Sequence, residues 1–191
     1  MSSPKPNFLT PDEYLDLERK SEIRSEYIAG QMFAMSGASR RHAVIAGNIH
    51  GEIWPRMRGR ACEAYMSEMR IKVSPTGMYT YPDIVALCGE AQLEDEHFDT
   101  LLNPTVIVEV LSESTEAYDR GEKFAHYRRL ESLREYVLVA QDKIRIEHFR
   151  RKGEDWILSE VSDPDATLEL ESIDCHVAVA TIYEKIDFDQ G

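Results

Sequence analysis

Apolar residues follow two rhythms along this chain, and the switches between them outline its elements. Ala43, Ile45, Ala46, Ile49, Ile53 and Trp54 recur at helical spacing. They predict a helix from about Arg40 to Met57, entered from a loop at Ser36–Ser39 that ends in a cap. Pro55 should end or kink it, and Gly59 should close it. A shorter helix is expected after Thr10: Thr is the N-cap, Pro11 takes the first helical position, and Glu13 completes a capping box. It should run to about Lys20 with Tyr14 and Leu17 facing inward. A third helix is expected to open on a second capping box, with Asp119 as cap and Glu122 three residues on. It carries Lys123, Phe124, Tyr127 and Leu130.

The other rhythm is that of strands. Residues 26–35 predict a hairpin turning near Gly30. Residues 61–66 and 69–73 predict two strands, the second followed by the turn Ser74-Pro75-Thr76-Gly77. Two uninterrupted apolar runs, 84–88 and 105–111, have the length and β-branched content of buried strands and are separated by an acidic loop. Residues 136–140 form another such run. Ile144, Ile146 and His148 alternate against Arg145, Glu147 and Phe149, as in a half-buried strand. Strands are expected at 156–161 and 167–170, then a closing strand or short helix over 177–185. This order predicts an α/β (α+β) fold, a mixed central sheet flanked by helices on both faces. There is no internal repeat or linker, so residues 10–186 read as one domain behind a flexible tail at residues 1–9.

Two of the apolar runs carry an acid. Pro82-Asp83 opens the first, and Glu109 stands near the end of the second. A lone buried charge costs several kcal/mol unless it is paired or holds a cation (~2–7 kcal/mol even for a neutral polar group). If the two strands lie antiparallel side by side, the start of one meets the end of the other, and Asp83 faces Glu109. Two close carboxylates with oxygens to spare suit a divalent cation. Alternatively, each acid pairs with an Arg or Lys, or ends its strand in solvent.

Composition narrows the function classes. With 42% hydrophobic and 30% charged residues among 191, the chain is neither disordered nor a coiled coil, and it can bury a full core. No stretch has the length of a membrane span, and the first residues lack the apolar core of a signal peptide, so a cytoplasmic protein with no membrane partner is expected. Cys62, Cys88 and Cys175 are far apart and odd in number, which suits reduced, buried thiols. The net charge of −13 opposes non-specific nucleic-acid binding, which needs a positive field. The short basic clusters at 56–60, 128–129 and 150–152 read as solubilising faces. His42, with Arg40 and Arg41 at the start of its helix, could hold a phosphate. The other histidines lack metal-ligand spacing. Phosphate-loop, dinucleotide, nucleophile-elbow and zinc-protease motifs are absent.

Tyr81-Pro82-Asp83, then Glu109 with Ser112 to Thr115, then Asp119-Arg120-Gly121-Glu122-Lys123 and Tyr127, together resemble the Uma2 family (DUF820), a branch of the PD-(D/E)XK nuclease-like superfamily. Glu26 with Gly30 and the His42 helix fit as well, so the resemblance spans roughly residues 10–185. It implies a restriction-endonuclease-like fold and a DNA endonuclease using Mg²⁺ or Mn²⁺, with Asp83 and Glu109 as ligands. It implies Glu26 as a third acid, and a homodimer. The simple motif places its lysine two residues after the glutamate, but Leu111 stands there. The resemblance moves that role to Lys123, with Lys72 as the second candidate. Tyr127 should pack under the sheet with its hydroxyl near the site. Two other functions compete: a nuclease fold that only binds or assembles, and a phosphodiesterase for RNA or small nucleotides, which suits so acidic a chain.

Overall fold

The computed structural model describes residues 8–188. Helix α1 (Pro11–Glu18) starts on the expected capping box, Thr10 and Glu13 each bonding the other's backbone. Tyr14, Leu15 and Glu18 are its buried residues. Leu17, expected to face inward, is 51% exposed, because the 3.6-residue period carries it past the core stripe. The hairpin forms from β1 (Ser25–Ile28) and β2 (Gln31–Ala34), with Ile28 opposite Gln31. Its two-residue loop needs positive φ at both positions, and Ala29 (49°) and Gly30 (87°) supply it. The tail expected at 1–9 lies mostly outside the described residues. Leu9 is tied to the hairpin through its N–H to the Gly30 carbonyl, 2.9 Å.

Helix α2 (Arg40–Met57) has the expected bounds, and the Ser39 hydroxyl accepts the His42 N–H as cap. Pro55 lies inside it and does not end it. Ile45, Ala46, Ile49, Ile53 and Met57 are buried, whereas Ala43 and Trp54, expected on that stripe, are exposed. Then follow β3 (Cys62–Met66), β4 (Arg70–Val73), β5 (Met78–Thr80), β6 (Ile84–Cys88), β7 (Thr100–Leu101) and β8 (Val106–Leu111). After β8 the chain runs helically through α3 (Glu116–Tyr118), a π-helical turn (Asp119–Lys123) and α4 (Phe124–Tyr127). It then enters β9 (Glu135–Ala140), parallel to β8. A parallel neighbour requires such a crossover. The remaining elements are β10 (Ile146–Lys152), β11 (Asp155–Val161), β12 (Thr167–Leu170), a 3₁₀ turn, β13 (Cys175–Ala178) and α5 (Val179–Ile182).

The large sheet runs β11-β10-β9-β8-β6-β3, and a second sheet runs β2-β1-β5-β4-β7. Strand alternation divides the core. Ile84, Ala86, Val106, Val108 and Val110 face α2, α5 and the β12–β13 hairpin. Val85, Leu87, Ile107 and Leu111 face the second sheet and Tyr127, Leu130 and Leu133 of the crossover. The fold is thus mixed α+β, with helices on the large sheet. Expectation and structure part at the cysteines: Cys62 and Cys88 stand directly opposite in the β3–β6 register and form a disulfide, and only Cys175 is free. Their separation of 26 residues hides a pairing that the register creates. No helix among the described residues is long and apolar enough to cross a membrane.

Candidate active site

β6 and β8 are antiparallel, with Ile84 opposite Val108. Continuing that register by one residue sets Asp83 beside Glu109. Side chain and backbone link the pair across the strands. Asp83 Oδ2 accepts the Val110 N–H at 2.7 Å, and the Asp83 N–H points at Glu109 Oε2, 3.4 Å away. Among the described residues no guanidinium pairs with either acid. Instead His42 Nε2 lies 3.0 Å from Asp83 Oδ2, and Lys123 Nζ lies 2.9 Å from Glu109 Oε1.

Lys123 sits at the centre of an acidic cluster and is only 6% exposed. Its ammonium also reaches Glu26 Oε1 at 3.2 Å and Asp119 Oδ1 at 3.5 Å. Glu26 arrives from β1, where Thr80 donates to the same oxygen. The Tyr127 hydroxyl donates to Glu109 Oε1 at 2.8 Å from below. The π-helical turn contains both Asp119 and Lys123, a form of helix that recurs at functional sites. The second capping box expected at Asp119 does not form. Asp119 is helical and buried, and its carboxylate joins the cluster instead. Ser112 and Thr115 manage the entry to this helix, with the Thr115 N–H donating to Ser112 Oγ.

Charge is unbalanced here. Glu26, Asp83, Glu109 and Asp119 face one lysine and one histidine. Burial pushes Glu109 up to about 8, and Lys123 only partly pulls it back while Asp119 and Asp83 push it further. Burial likewise raises Asp119. Burial draws Lys123 down, but the three carboxylates outweigh it and hold the amine well above its usual range, so it keeps its proton. For His42 burial pulls down while the Asp83 hydrogen bond and charge pull up, with a net rise. A divalent cation is the kind of group that would relieve this surplus. Hard carboxylate oxygens are the right donors, and Mg²⁺ is commonly held by one or two carboxylates with its remaining positions left to water and phosphate. Among the described residues no group of three or more His, Cys, Asp or Glu is arranged to hold a metal ion, so a cation here would rest on two carboxylates.

The other sequence candidates separate. Arg41 donates to the Asp187 carbonyl at 2.9 Å, whereas His42 lines the cleft. Tyr127 is fully buried with its hydroxyl on Glu109, the place expected for it under the sheet, and is too deep to touch a substrate. Lys72 pairs with Glu94 and lies over the Tyr79 ring in the second sheet, away from the acids. Leu111 packs in the core with Tyr136 and Leu138. Asp119, expected as a helix cap, belongs to the site as well. Its i, i+4 spacing to Lys123 was the signal. The cluster floors a cleft of about 1210 Å³ that also takes in residues 33–39 and the Ser112–Thr115 loop.

Comparison with known proteins gives a consistent picture. A family model, Uma2, described as "Putative restriction endonuclease", matches residues 11–180. The chain is 36% identical to the uncharacterized protein slr1290 of Synechocystis sp., over 98% of this chain and 97% of that one. It is 33% identical to the uncharacterized protein sll1609 of the same organism, over 84% and 92%. Its fold is similar to a crystal structure of a putative nuclease belonging to DUF820 from Anabaena variabilis, with a TM-score of 0.75 at 21% identity, over 92% of this chain and 97% of that one.

Proposed function

Since the chain belongs to the Uma2 family of putative restriction endonucleases, we propose that it is a nuclease that hydrolyses phosphodiester bonds with the help of Mg²⁺ or Mn²⁺. The observation that carries this reading is the convergence of Glu26, Glu109 and Asp119 on the Lys123 ammonium, with Asp83 on the adjoining strand. Asp83 and Glu109 would hold the cation, while Glu26 pairs with the lysine. A bound divalent ion lowers the pKa of water and offsets the charge of the phosphate under attack.

The chain's own residues supply the rest. Lys123 keeps its proton, so its part is to donate hydrogen bonds and positive charge to the non-bridging oxygens as negative charge builds on them. It does not act as the base. Tyr127 fixes Glu109 Oε1, and the Val110 N–H with His42 fixes Asp83 Oδ2, so neither carboxylate must reorganise during the reaction. DNA is the substrate the family description points to. A second reading, a nuclease fold that binds without cutting, draws on Leu111 at the usual lysine position and on the acidity of the chain.

Purified protein with Mn²⁺ and both supercoiled plasmid and single-stranded circular DNA tests the first reading. Nicking should appear, and Asp83→Ala should abolish it. Equal nicking by that variant would discard the assignment. A calorimetric titration that shows no heat and no thermal shift with Mn²⁺ would favour the second.

A further inference from the structure

Phe33 is 48% exposed, on a strand of which only Met32 packs against the small core of Tyr14, Leu15, Tyr27 and Tyr79. Its position is specific. It is the residue paired directly with Glu26 across β1 and β2. Directly opposed residues of an antiparallel pair project from the same face, with Cβ atoms about 4.5–5.5 Å apart. The phenyl ring therefore stands on the same side of the hairpin as the carboxylate that contacts Lys123. It lines the same cleft, beside the loop at residues 34–39.

The cleft constrains what can lie against that ring. Its charged lining consists of Glu22, Glu26, Asp83, Glu109, Glu113 and Asp119 against Arg24 and Lys123. Arg24 is already paired with Glu68, and Lys123 with the buried acids. Duplex binding depends on Lys and Arg that neutralise a row of phosphates, and this lining offers no such row. A single strand also favours a positive groove, but it adds the stacking of its bases on aromatic rings, worth about 1–3 kcal/mol per base, which the paired bases of a duplex do not offer.

Building on the nuclease reading, we propose that the substrate is a single-stranded nucleic-acid segment and that Phe33 is the platform on which the base next to the scissile phosphate stacks. Phe33 is a binding residue in this account, remote from the bond-breaking atoms. Hydroxyl-rich walls at Ser36, Ser39, Ser112 and Ser114 line the path that the flanking backbone would follow.

The test uses the full chain and measures binding apart from cleavage. Phe33→Trp places a fluorophore on the platform. Single-stranded DNA, single-stranded RNA and duplex DNA of one sequence are titrated in EDTA, where hydrolysis is silent. Indole quenching with a single strand is expected, and the DNA and RNA arms tell which sugar is preferred. Phe33→Ala should weaken single-strand binding by about 5- to 150-fold, the range for losing one stacked base. In the presence of Mn²⁺ that loss should appear in KM with kcat nearly unchanged, and Phe33→Trp should restore it. If Phe33→Ala binds and cuts single strands like the parent, or if duplex is bound tighter than single strand, the stacking proposal falls while the nuclease reading stands. If no nucleic acid is bound or cut by the parent protein, both fall.

Discussion

Replacing Lys123 by methionine is the sharpest probe of the buried cluster. The side chain keeps roughly its length and loses its charge. At an effective dielectric of about 20, each of the three contacts between 2.9 and 3.5 Å contributes about 5 kcal/mol of attraction. Desolvation of a buried ammonium and its partners cancels most of that gross figure. What remains measurable is the cost of leaving carboxylates buried without their cation, about 3–5 kcal/mol for one broken partner. For a chain of this length that corresponds to a fall in melting temperature of about 6–20 °C.

The loss should depend on pH in a definite direction. Glu109 already has a folded pKa of about 8 against an ordinary 4.5. A group raised in this way favours the fold below its unfolded pKa and costs stability as pH rises toward the folded value. Without Lys123 the acids move higher still; Glu109 is protonated in both folded proteins well below pH 8, so its part of the gap opens from about pH 8 upward, while Asp119, raised less, widens the gap at lower pH, and the gap should be smallest toward pH 5. Urea unfolding of both proteins at pH 5, 6, 7 and 8 measures it. A Lys123→Met protein within about 0.5 kcal/mol of the parent at pH 7, the range of an ordinary surface substitution, would refute the reasoning. So would a loss that is flat across the series.

Three further outcomes are expected. Tyr127→Phe removes the donor to Glu109 Oε1 and should lower nicking by about tenfold, equivalent to about 1.4 kcal/mol, with the fold intact by circular dichroism; unchanged activity would show that this hydrogen bond is idle. Glu135 is buried, and although burial pushes it up, hydrogen bonds from His148 and Ser172 hold its pKa below the ordinary value. It should stabilise the fold above about pH 4.5 and lose that contribution as pH falls further, so Glu135→Gln should cost about 1.5–3 kcal/mol at pH 7 and progressively less in acid. Ile49→Ala, in the middle of the buried stripe of α2, should cost about 2–5 kcal/mol in urea unfolding without altering Mn²⁺ binding.

Local chemistry explains what could be read from the sequence. The capping box at Thr10 and the bounds of α2 are fixed by residues within a few positions of each other, and both are found. The facing of Asp83 and Glu109 was legible because both apolar runs are buried strands and an antiparallel pair brings one start to the other's end. Lys123 beside Glu109 followed from the family resemblance. What escaped depends on contacts between distant segments. The Cys62–Cys88 bridge comes from strand register. The short strands β5 and β7 add to a second sheet that their own few residues barely announce. Asp119 looks like a helix cap until the π-helical turn carries it inward. Leu17 and Trp54 satisfy a helical period at its margin, where core and solvent are one residue apart.

The central claim is that Asp83 and Glu109 together bind a divalent ion above the Lys123 ammonium. Anomalous diffraction from a crystal soaked in Mn²⁺ addresses it directly. A single strong peak between the carboxylates of residues 83 and 109, absent from an Asp83→Ala crystal, is the predicted result. No peak there, with both acids still turned to His42 and Lys123 at millimolar Mn²⁺, would contradict the account.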